Sequence, residues 1–502
     1  MAARIRRKEF LKIAAGLAAE PALPSRAAQT PPAAATPPNV LVIMTDEHRR
    51  NYMTAAGSSI VPTPNIDRIA ARGVRFTRAF CPYPVCAASR SALLTGLHSH
   101  TTGVINNTDL LNWKTRTVAH HFADRGYHTA LIGKMHFNDG HTHGFQYFLG
   151  FNDWFMYLGP DVQGYADEIA NHPIAPKFFD TVNDDGSGLP ELPGVWGDKR
   201  PWAGHVKRIG LASELSLDNQ FDAYVARESS RFLERYGNEP FFLVASFLRP
   251  HPPLHPPADY AAKYPIEKTD LQPVGEISQY PKWIQQNVAR FQRLGPERLK
   301  AHRAGYRGNL AYVDTCIGEL YRTLERLKLD RNTIVVYTSD HGEMDGDHGL
   351  YEKFCLFEHS VGVPLIVSQP GALPENRLCA EPVGYFGIYP TLAELTGAPA
   401  PKGIDATSFA GLVRRPDSRG PEAVFSEYNL RSNTDCYMVR TRRHKYIWNR
   451  DDIAELYDLE ADPAENRNLA NSSPLTKRLH DQLLAWYDPE RNRYRPARGP
   501  RG

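Results

Sequence analysis

Two cysteines stand five positions apart, Cys81 and Cys86, in the segment CPYPVCAASRSALLTG, and Arg90 follows the second by four residues. That spacing admits three kinds of chemistry: a disulfide, half of a metal site, or a reactive centre. CAASRSALLTG reads as the start of a helix with Cys86 in its first turn. A helix N-terminus favours negative charge, which suits an activated nucleophile or a bound anion. Arg90 lies one turn along the same face. Zinc is disfavoured, because no Cys-x-x-Cys or His-x3-His partner lies nearby. A Cys81–Cys86 disulfide stays open.

Other chemically loaded residues share one pattern: each follows a short apolar, β-branched run. NVLVIMT leads into Asp46, Glu47 and His48, and HTALIG leads into Lys134, Met135 and His136. PFFLVASFL leads into Arg249, Pro250 and His251, and TIVVYTS leads into Asp340, His341 and Gly342. Continuous apolar runs suit strands buried on both faces of a parallel sheet. Helical patterns lie between them, for example Leu310 to Leu327, so the fold class expected is a doubly wound α/β sheet. In such sheets ligands bind beyond the carboxyl ends of the strands, so the four endings converge on one site. Asp46, Glu47 and Asp340 could supply hard oxygen ligands to a divalent cation. Lys134, Lys353 and Arg90 add fixed positive charge. That mixture suits a sulfate or phosphate oxyanion. His136, His251 and His341 offer proton transfer or ligation. A soft thiolate matches such esters poorly.

These residues resemble the type I, formylglycine-dependent sulfatases of the alkaline-phosphatase-like superfamily. Their Cys-x-Pro-x-Arg signature with a Leu-x-Thr-Gly tail stands here as CAASR and LLTG. The blocks PTPNIDRIAARGVRFTRAF, GYHTALIGKMHF, FLRPHPP and NTIVVYTSDHGEMDGDHGLYEK follow in family order, and the likeness spans about residues 39–470. The resemblance implies that Cys86 is oxidised to formylglycine by a maturation enzyme. The hydrated aldehyde, a gem-diol, then attacks sulfur, and a covalent step splits one hard displacement into two. It also implies Ca²⁺, ahead of Mg²⁺ or Mn²⁺, held by Asp46, Glu47, Asp340, His341 and the modified Cys86. Arg90 would hold the formylglycine, Lys134 and Lys353 the sulfate oxygens. His136 would act as base in the elimination, and His251 with Lys353 would protonate the leaving oxygen. Ala88 departs from the signature proline, and Glu47 stands where many relatives carry Asp.

The reaction expected is hydrolysis of an organic sulfate monoester of a carbohydrate, aryl or small alcohol. A phosphonate monoester or phosphodiester hydrolase is the alternative, and an inactive sulfate-binding protein with unmodified Cys86 is a third reading. The 105–116, 141–210 and 265–300 segments would select the alcohol. Aromatic-rich FNDWFMYLGP and WGDKRPWAGH read either as stacking platforms or as packing.

The chain has 502 residues and a net charge of +3, too small to argue for nucleic acid or a membrane surface. No apolar run reaches the ~20 residues that span a bilayer. Residues 1–38 read as a signal peptide of twin-arginine type plus a Pro/Ala-rich linker, implying a periplasmic or secreted enzyme. The Arg6-Arg7 pair stands two residues before Phe10, where the usual pattern has one, and a basic tail is the plain alternative. Residues 39–384 are assigned to a catalytic domain. The 385–488 segment is assigned to a smaller antiparallel-sheet α+β subdomain, and 489–502 to a disordered basic tail. With Cys86 modified, five thiols remain, and Cys81 reads as a buried spectator.

Overall fold

The computed structural model describes residues 37–158, 210, 212, 213, 215–489 and 491. The signal-peptide reading of residues 1–36, and nearly all of the 489–502 tail, lie outside these. The main sheet contains β1 (Asn39–Asp46), β2 (Gly73–Phe80), β3 (His128–Gly133), β4 (Tyr147–Leu149) and β5 (Phe241–Pro250). It also contains β6 (Thr333–Ser339), β7 (Gly362–Ser368), β8 (Arg377–Cys379) and β9 (Val383–Gly384). Their order is β4-β3-β5-β1-β6-β7-β2-β8, with β9 also pairing β2. Only β7 runs antiparallel among these described strands. The sheet is therefore the mixed, mostly parallel α/β sheet expected.

The apolar runs owe their continuity to burial on both faces. In β1, Val40, Val42 and Met44 join one apolar cluster, while Leu41 and Ile43 join another on the opposite face. Strands β5 and β6 alternate in the same way: Val244 and Val336 face one side, Leu243 and Val335 the other. The helices Phe221–Tyr236 and Pro296–Arg326 cover one face, and Cys86–Thr95 belongs to the other. The helix expected over Leu310–Leu327 starts much earlier, at Pro296. Its first half contacts the core through Ala301, Ala304, Gly305 and Gly308. Small residues bury a helix face without leaving an apolar stripe in the sequence.

β3, β5, β1 and β6 are consecutive neighbours, all parallel. Their carboxyl ends therefore open along one edge of the sheet. Two local devices shape that edge. The β1–β5 register shifts between Met44 and Asp46, so that Asp46 lies opposite Pro250; bulges of this kind re-aim side chains at sheet ends. Gly133 closes β3 at φ 111°, where a Cβ would stand 1.8 Å from the Ser246 carbonyl oxygen. Only glycine fits there, and the close approach lets Lys134 N–H donate to that same carbonyl at 2.9 Å.

A second sheet, β10 (Ala423–Tyr428), β11 (Cys436–Thr441), β12 (His444–Asn449) and β13 (Glu455–Asp458), is antiparallel throughout. The amphipathic helix Leu475–Trp486 packs on it through Leu479 and Leu483. Ser426 Oγ donates to the Cys81 carbonyl at 2.7 Å, and Glu427 N–H donates to the Pro82 carbonyl at 2.9 Å. These bonds tie β10 to the turn that precedes the Cys86 helix. All six cysteines are unpaired and buried. The Cys81–Cys86 disulfide is therefore not formed, and Cys81 packs in the apolar core. No described helix is long and apolar enough to cross a membrane.

Candidate active site

Cys86 is the first residue of the Cys86–Thr95 helix, every residue of which is buried. Its Sγ lies 3.2 Å from His341 Nε2 and 3.7 Å from Asp46 Oδ1. Asp46 ends β1, and Asp340 with His341 follows β6, so two neighbouring strands deliver these three ligand-type side chains. His341 Nε2 lies 3.9 Å from Asp46 Oδ1 and 3.7 Å from Asp340 Oδ1. The other ring nitrogen, Nδ1, is 3.0 Å from the Gly342 carbonyl. A carbonyl can only accept, so Nδ1 carries the proton and the Nε2 lone pair faces the carboxylates.

Arg90, one turn along the helix, is the hub. Its Nε donates to Asp340 Oδ2 at 2.8 Å and Nη2 to Asp46 Oδ2 at 2.7 Å. Nη1 donates to the Lys134 carbonyl at 2.6 Å and to Ser246 Oγ at 2.9 Å. One fully buried guanidinium thus ties together the ends of β1, β3 and β6 and the middle of β5. Lys134 Nζ lies 2.6 Å from Asp46 Oδ2. Burial alone would raise the Asp46 pKa, but Lys134, His251 and Arg90 outweigh it and hold the carboxyl well below its usual range.

Glu47 is buried at φ 67° and donates its N–H to Asp340 Oδ1 at 3.1 Å. Its Oε2 is 3.3 Å from Lys353 Nζ and 3.7 Å from His251 Nε2, while its buried Oε1 has no partner. Burial raises the Glu47 pKa against the pull of Lys353. For Lys353, burial pulls downward, but the charges of Glu47 and Cys86 raise the ammonium pKa well above its usual value. The two shifts imply opposite charges for Glu47, and the 3.3 Å contact favours the ionised pair. His251 Nδ1 is 2.6 Å from the Pro252 carbonyl, so its Nε2 lone pair also faces inward. Burial, then Lys134 and Lys353, depress the His251 pKa well below 6.5. His136 is half-buried at φ 64° and lines a cavity of about 300 Å³ beside Lys134.

The chemical sense of the arrangement lies in acceptors facing acceptors. Asp46, Cys86, Asp340 and His341 can bring one ligand atom each within 4.8 Å of one another, and so can Asp46, Glu47 and His251. The Asp46 and Asp340 oxygens and the His341 nitrogen converge with no donor of their own among them. A divalent cation resolves such a convergence, so the residues present fit a metal ion. Three carboxylates (Asp46, Glu47, Asp340) stand against three fixed cations (Arg90, Lys134, Lys353), a difference of zero. A bound divalent ion would leave the pocket positive and receptive to an anion.

The arrangement also uses residues that the sequence reading passed over. Ser246 sits mid-strand in FLVASFL, and the lone hydroxyl in an apolar run was its signal. Asn107 Oδ1 accepts the Ala87 N–H at 3.2 Å, in the first turn beside Cys86. Tyr306 OH donates to the Glu47 carbonyl at 2.7 Å. Tyr385 OH donates to the Ser89 carbonyl at 2.6 Å, and Ser89 Oγ donates to the Asp340 carbonyl at 2.6 Å. These four have no local sequence signal, since each acts across the fold. Of the aromatic-rich stretches, Phe151 and Trp154 pack on Phe221, with centroids 4.2 Å and 5.4 Å away. The WGDKRPWAGH stretch lies outside the described residues.

Comparison with known proteins bears directly on this site. A sulfatase family model matches residues 38–398, and a model described as the C-terminal part of N-sulphoglucosamine sulphohydrolase matches residues 346–488. The chain belongs to the sulfatase family. It is 30% identical over 458 residues to an arylsulfatase of Clostridium perfringens, covering 88% of this chain and 92% of that one. It is 28% identical to a choline-sulfatase of Rhizobium meliloti, covering 87% and 83%. Among solved structures, a phosphonate monoester hydrolase of Agrobacterium radiobacter superposes with a TM-score of 0.71 at 25% identity, covering 89% and 95%. As a sulfatase, this chain is a sulfuric ester hydrolase. Its fold and its mixed sheet are those of its relatives.

Proposed function

We propose that this sulfatase hydrolyses an organic sulfate monoester of a carbohydrate, aryl or small alcohol, using Cys86 oxidised to formylglycine and a calcium ion. The observation that carries the reading is the position of Cys86: at a helix N-terminus, 3.2 Å from His341 Nε2. Lys134 and Lys353 stand close by, each against a buried carboxylate of the same cluster. When bound, the modified residue supplies a hard oxygen nucleophile and the cation supplies charge neutralisation.

Asp46, Asp340 and His341 would hold the ion, with Glu47 and the oxidised Cys86 side chain completing the set. Ca²⁺ prefers oxygen ligands, and an imidazole is more at home on a transition metal. His341 is therefore the donor that separates Mn²⁺ from Ca²⁺ and Mg²⁺, and metal analysis of the purified protein decides among them. Arg90 fixes both carboxylates and orients the Cys86 helix. Lys134 and Lys353 bind sulfate oxygens, stabilising charge as it develops. His251, held neutral with Nδ1 fixed on the Pro252 carbonyl, directs Nε2 into the pocket. It takes up a proton as substrate binds and delivers it, with Lys353, to the leaving oxygen. His136 serves as base in the release step. Residues 39–384 would form the catalytic domain and 385–488 the subdomain packed on it.

Mass spectrometry of the peptide containing Cys86 tests the reading. Conversion of the thiol to an aldehyde is expected, and an intact cysteine in active enzyme refutes it. Modification also requires a maturation enzyme that tolerates Ala88. A second reading, hydrolysis of phosphonate monoesters or phosphodiesters at the same residues, draws on the likeness to the Agrobacterium enzyme. Turnover of an aryl sulfate against an aryl phosphonate separates the two. Export to the periplasm or medium by a twin-arginine signal is tested by a reporter fused to residues 1–38, which should leave the cytoplasm.

A further inference from the structure

A cavity of about 610 Å³ lies at the opposite end of the Cys86–Thr95 helix from Cys86, roughly 15 Å along its axis. It opens between the segment 405–421, the start of β10 and the helix Leu475–Trp486. Its walls are aromatic: Phe386, Phe409, Phe425, Trp486 and the imidazole of His98. Its rim carries Arg415 and Arg419. Neither guanidinium makes a hydrogen bond or ion pair with the described residues. The nearby acids are already engaged. Asp405 accepts from His98 N–H and Thr101 Oγ, Asp417 pairs with Arg377, and Glu381 pairs with Arg442. The mouth of an apolar cavity is left with two uncompensated positive charges.

His98 contributes its ring to the wall. The side chain is only 6% exposed, and its buried Nδ1 has no hydrogen-bond partner. Its ring lies 4.7 Å from Phe386 and 5.0 Å from Trp486, so neither wall offers one. Burial pushes its pKa down to about 4, leaving a neutral imidazole that can donate or accept one bond.

We propose that this cavity is a second ligand site, for a small aryl anion whose ring lies between the aromatic walls and whose carboxylate or sulfonate meets Arg415 and Arg419. The volume falls in the range of small-molecule sites, and such sites pair apolar walls with a few placed polar groups. Guanidinium binds planar oxyanions through paired, charge-assisted hydrogen bonds. Flat aromatic walls favour a ring over a flexible chain. The site stands apart from the Cys86 centre and does not depend on how that centre works.

Calorimetric titration of the full chain with 2-naphthalenesulfonate, which carries no hydrolysable ester, tests the proposal. Saturable binding at one site per chain is expected, with no inhibition of aryl sulfate turnover at the same concentrations. The double variant Arg415→Ala/Arg419→Ala should weaken it at least about tenfold. Gly411→Leu should abolish it, since Gly411 lines the cavity and a Cβ there would meet no atom within 4 Å. Both variants should keep aryl sulfate turnover and thermal midpoint, showing that they fold. Absence of saturable binding overturns the proposal, as does binding that survives both variants. Competitive inhibition of aryl sulfate turnover by the probe at its binding concentrations also overturns it, because it would place the probe at the Cys86 centre.

Discussion

Two buried charge clusters of similar make-up differ in what their atoms face. Beside β12, Lys445 Nζ lies 2.7 Å from Glu465, 3.1 Å from Glu358 and 2.9 Å from the Leu356 carbonyl. Glu358 also accepts from Arg440 at 2.8 Å and Arg50 at 3.0 Å. Burial would raise its pKa, but Arg440, Lys445 and Arg50 carry it well below the usual value. There Glu358 meets three cations, while Glu465 meets Lys445 and accepts the Glu358 N–H at 2.7 Å, and the cluster is closed. At the sheet edge, by contrast, Asp46, Asp340 and His341 turn acceptor atoms toward one another, and Glu47 keeps an unpartnered oxygen. A structural cluster satisfies itself, whereas a functional one is left to be completed from outside.

The contrast can be broken most sharply at the proposed nucleophile. Cys86→Ala should lower aryl sulfate kcat/KM by roughly 10⁴-fold or more, as removal of a covalent nucleophile does elsewhere. Its urea midpoint should hardly move. Lys445→Met should do the reverse. Leaving Glu358 and Glu465 without their shared ammonium should cost about 3–5 kcal/mol of stability. The kcat/KM of the folded fraction should stay near wild type. Lys134→Met should lower kcat/KM by about 10²–10³-fold, the scale of a lost oxyanion contact. Its stability loss should be smaller than that of Lys445→Met, because Asp46 keeps Arg90.

The mildest test uses pH. His348, stacked on Phe357 beside the closed cluster, has its pKa pushed down to about 4, chiefly by burial. The unfolded chain binds this proton near pH 6.5 and the folded chain only near 4. Stability is therefore full above 6.5 and falls as pH drops toward 4, by at most about 3 kcal/mol. His348→Gln should flatten the urea midpoint across that window. A slope unchanged in the variant would assign the loss to other groups.

The sequence made the site more legible than its surroundings. β3 and β6 run over the stretches expected, because a strand buried on both faces is an unbroken apolar run. Their endings named Asp46, Lys134, His251 and Asp340. The start of the Pro296–Arg326 helix was hidden by alanines and glycines that bury without an apolar stripe. Ser89, Asn107, Tyr306 and Tyr385 were hidden because their partners lie far off in the chain: Tyr306 meets Glu47 from the middle of a helix. Nor could spacing show that Arg90 would gather four strands, although its position one turn from Cys86 was plain. Pairing across the fold, not residue type, was the missing information.

The complete burial of the Cys86 helix sets an order of manufacture. Cys86 has no exposed surface, and Arg90 locks its helix onto the sheet. Another protein that must act on this side chain can reach it only while the chain is still open. The opportunity closes when the core forms, and a copy that folds first stays as it was made. Under the proposed modification, the share of converted molecules would be a record of a race between collapse and capture, fixed at birth and carried unchanged for the life of each copy.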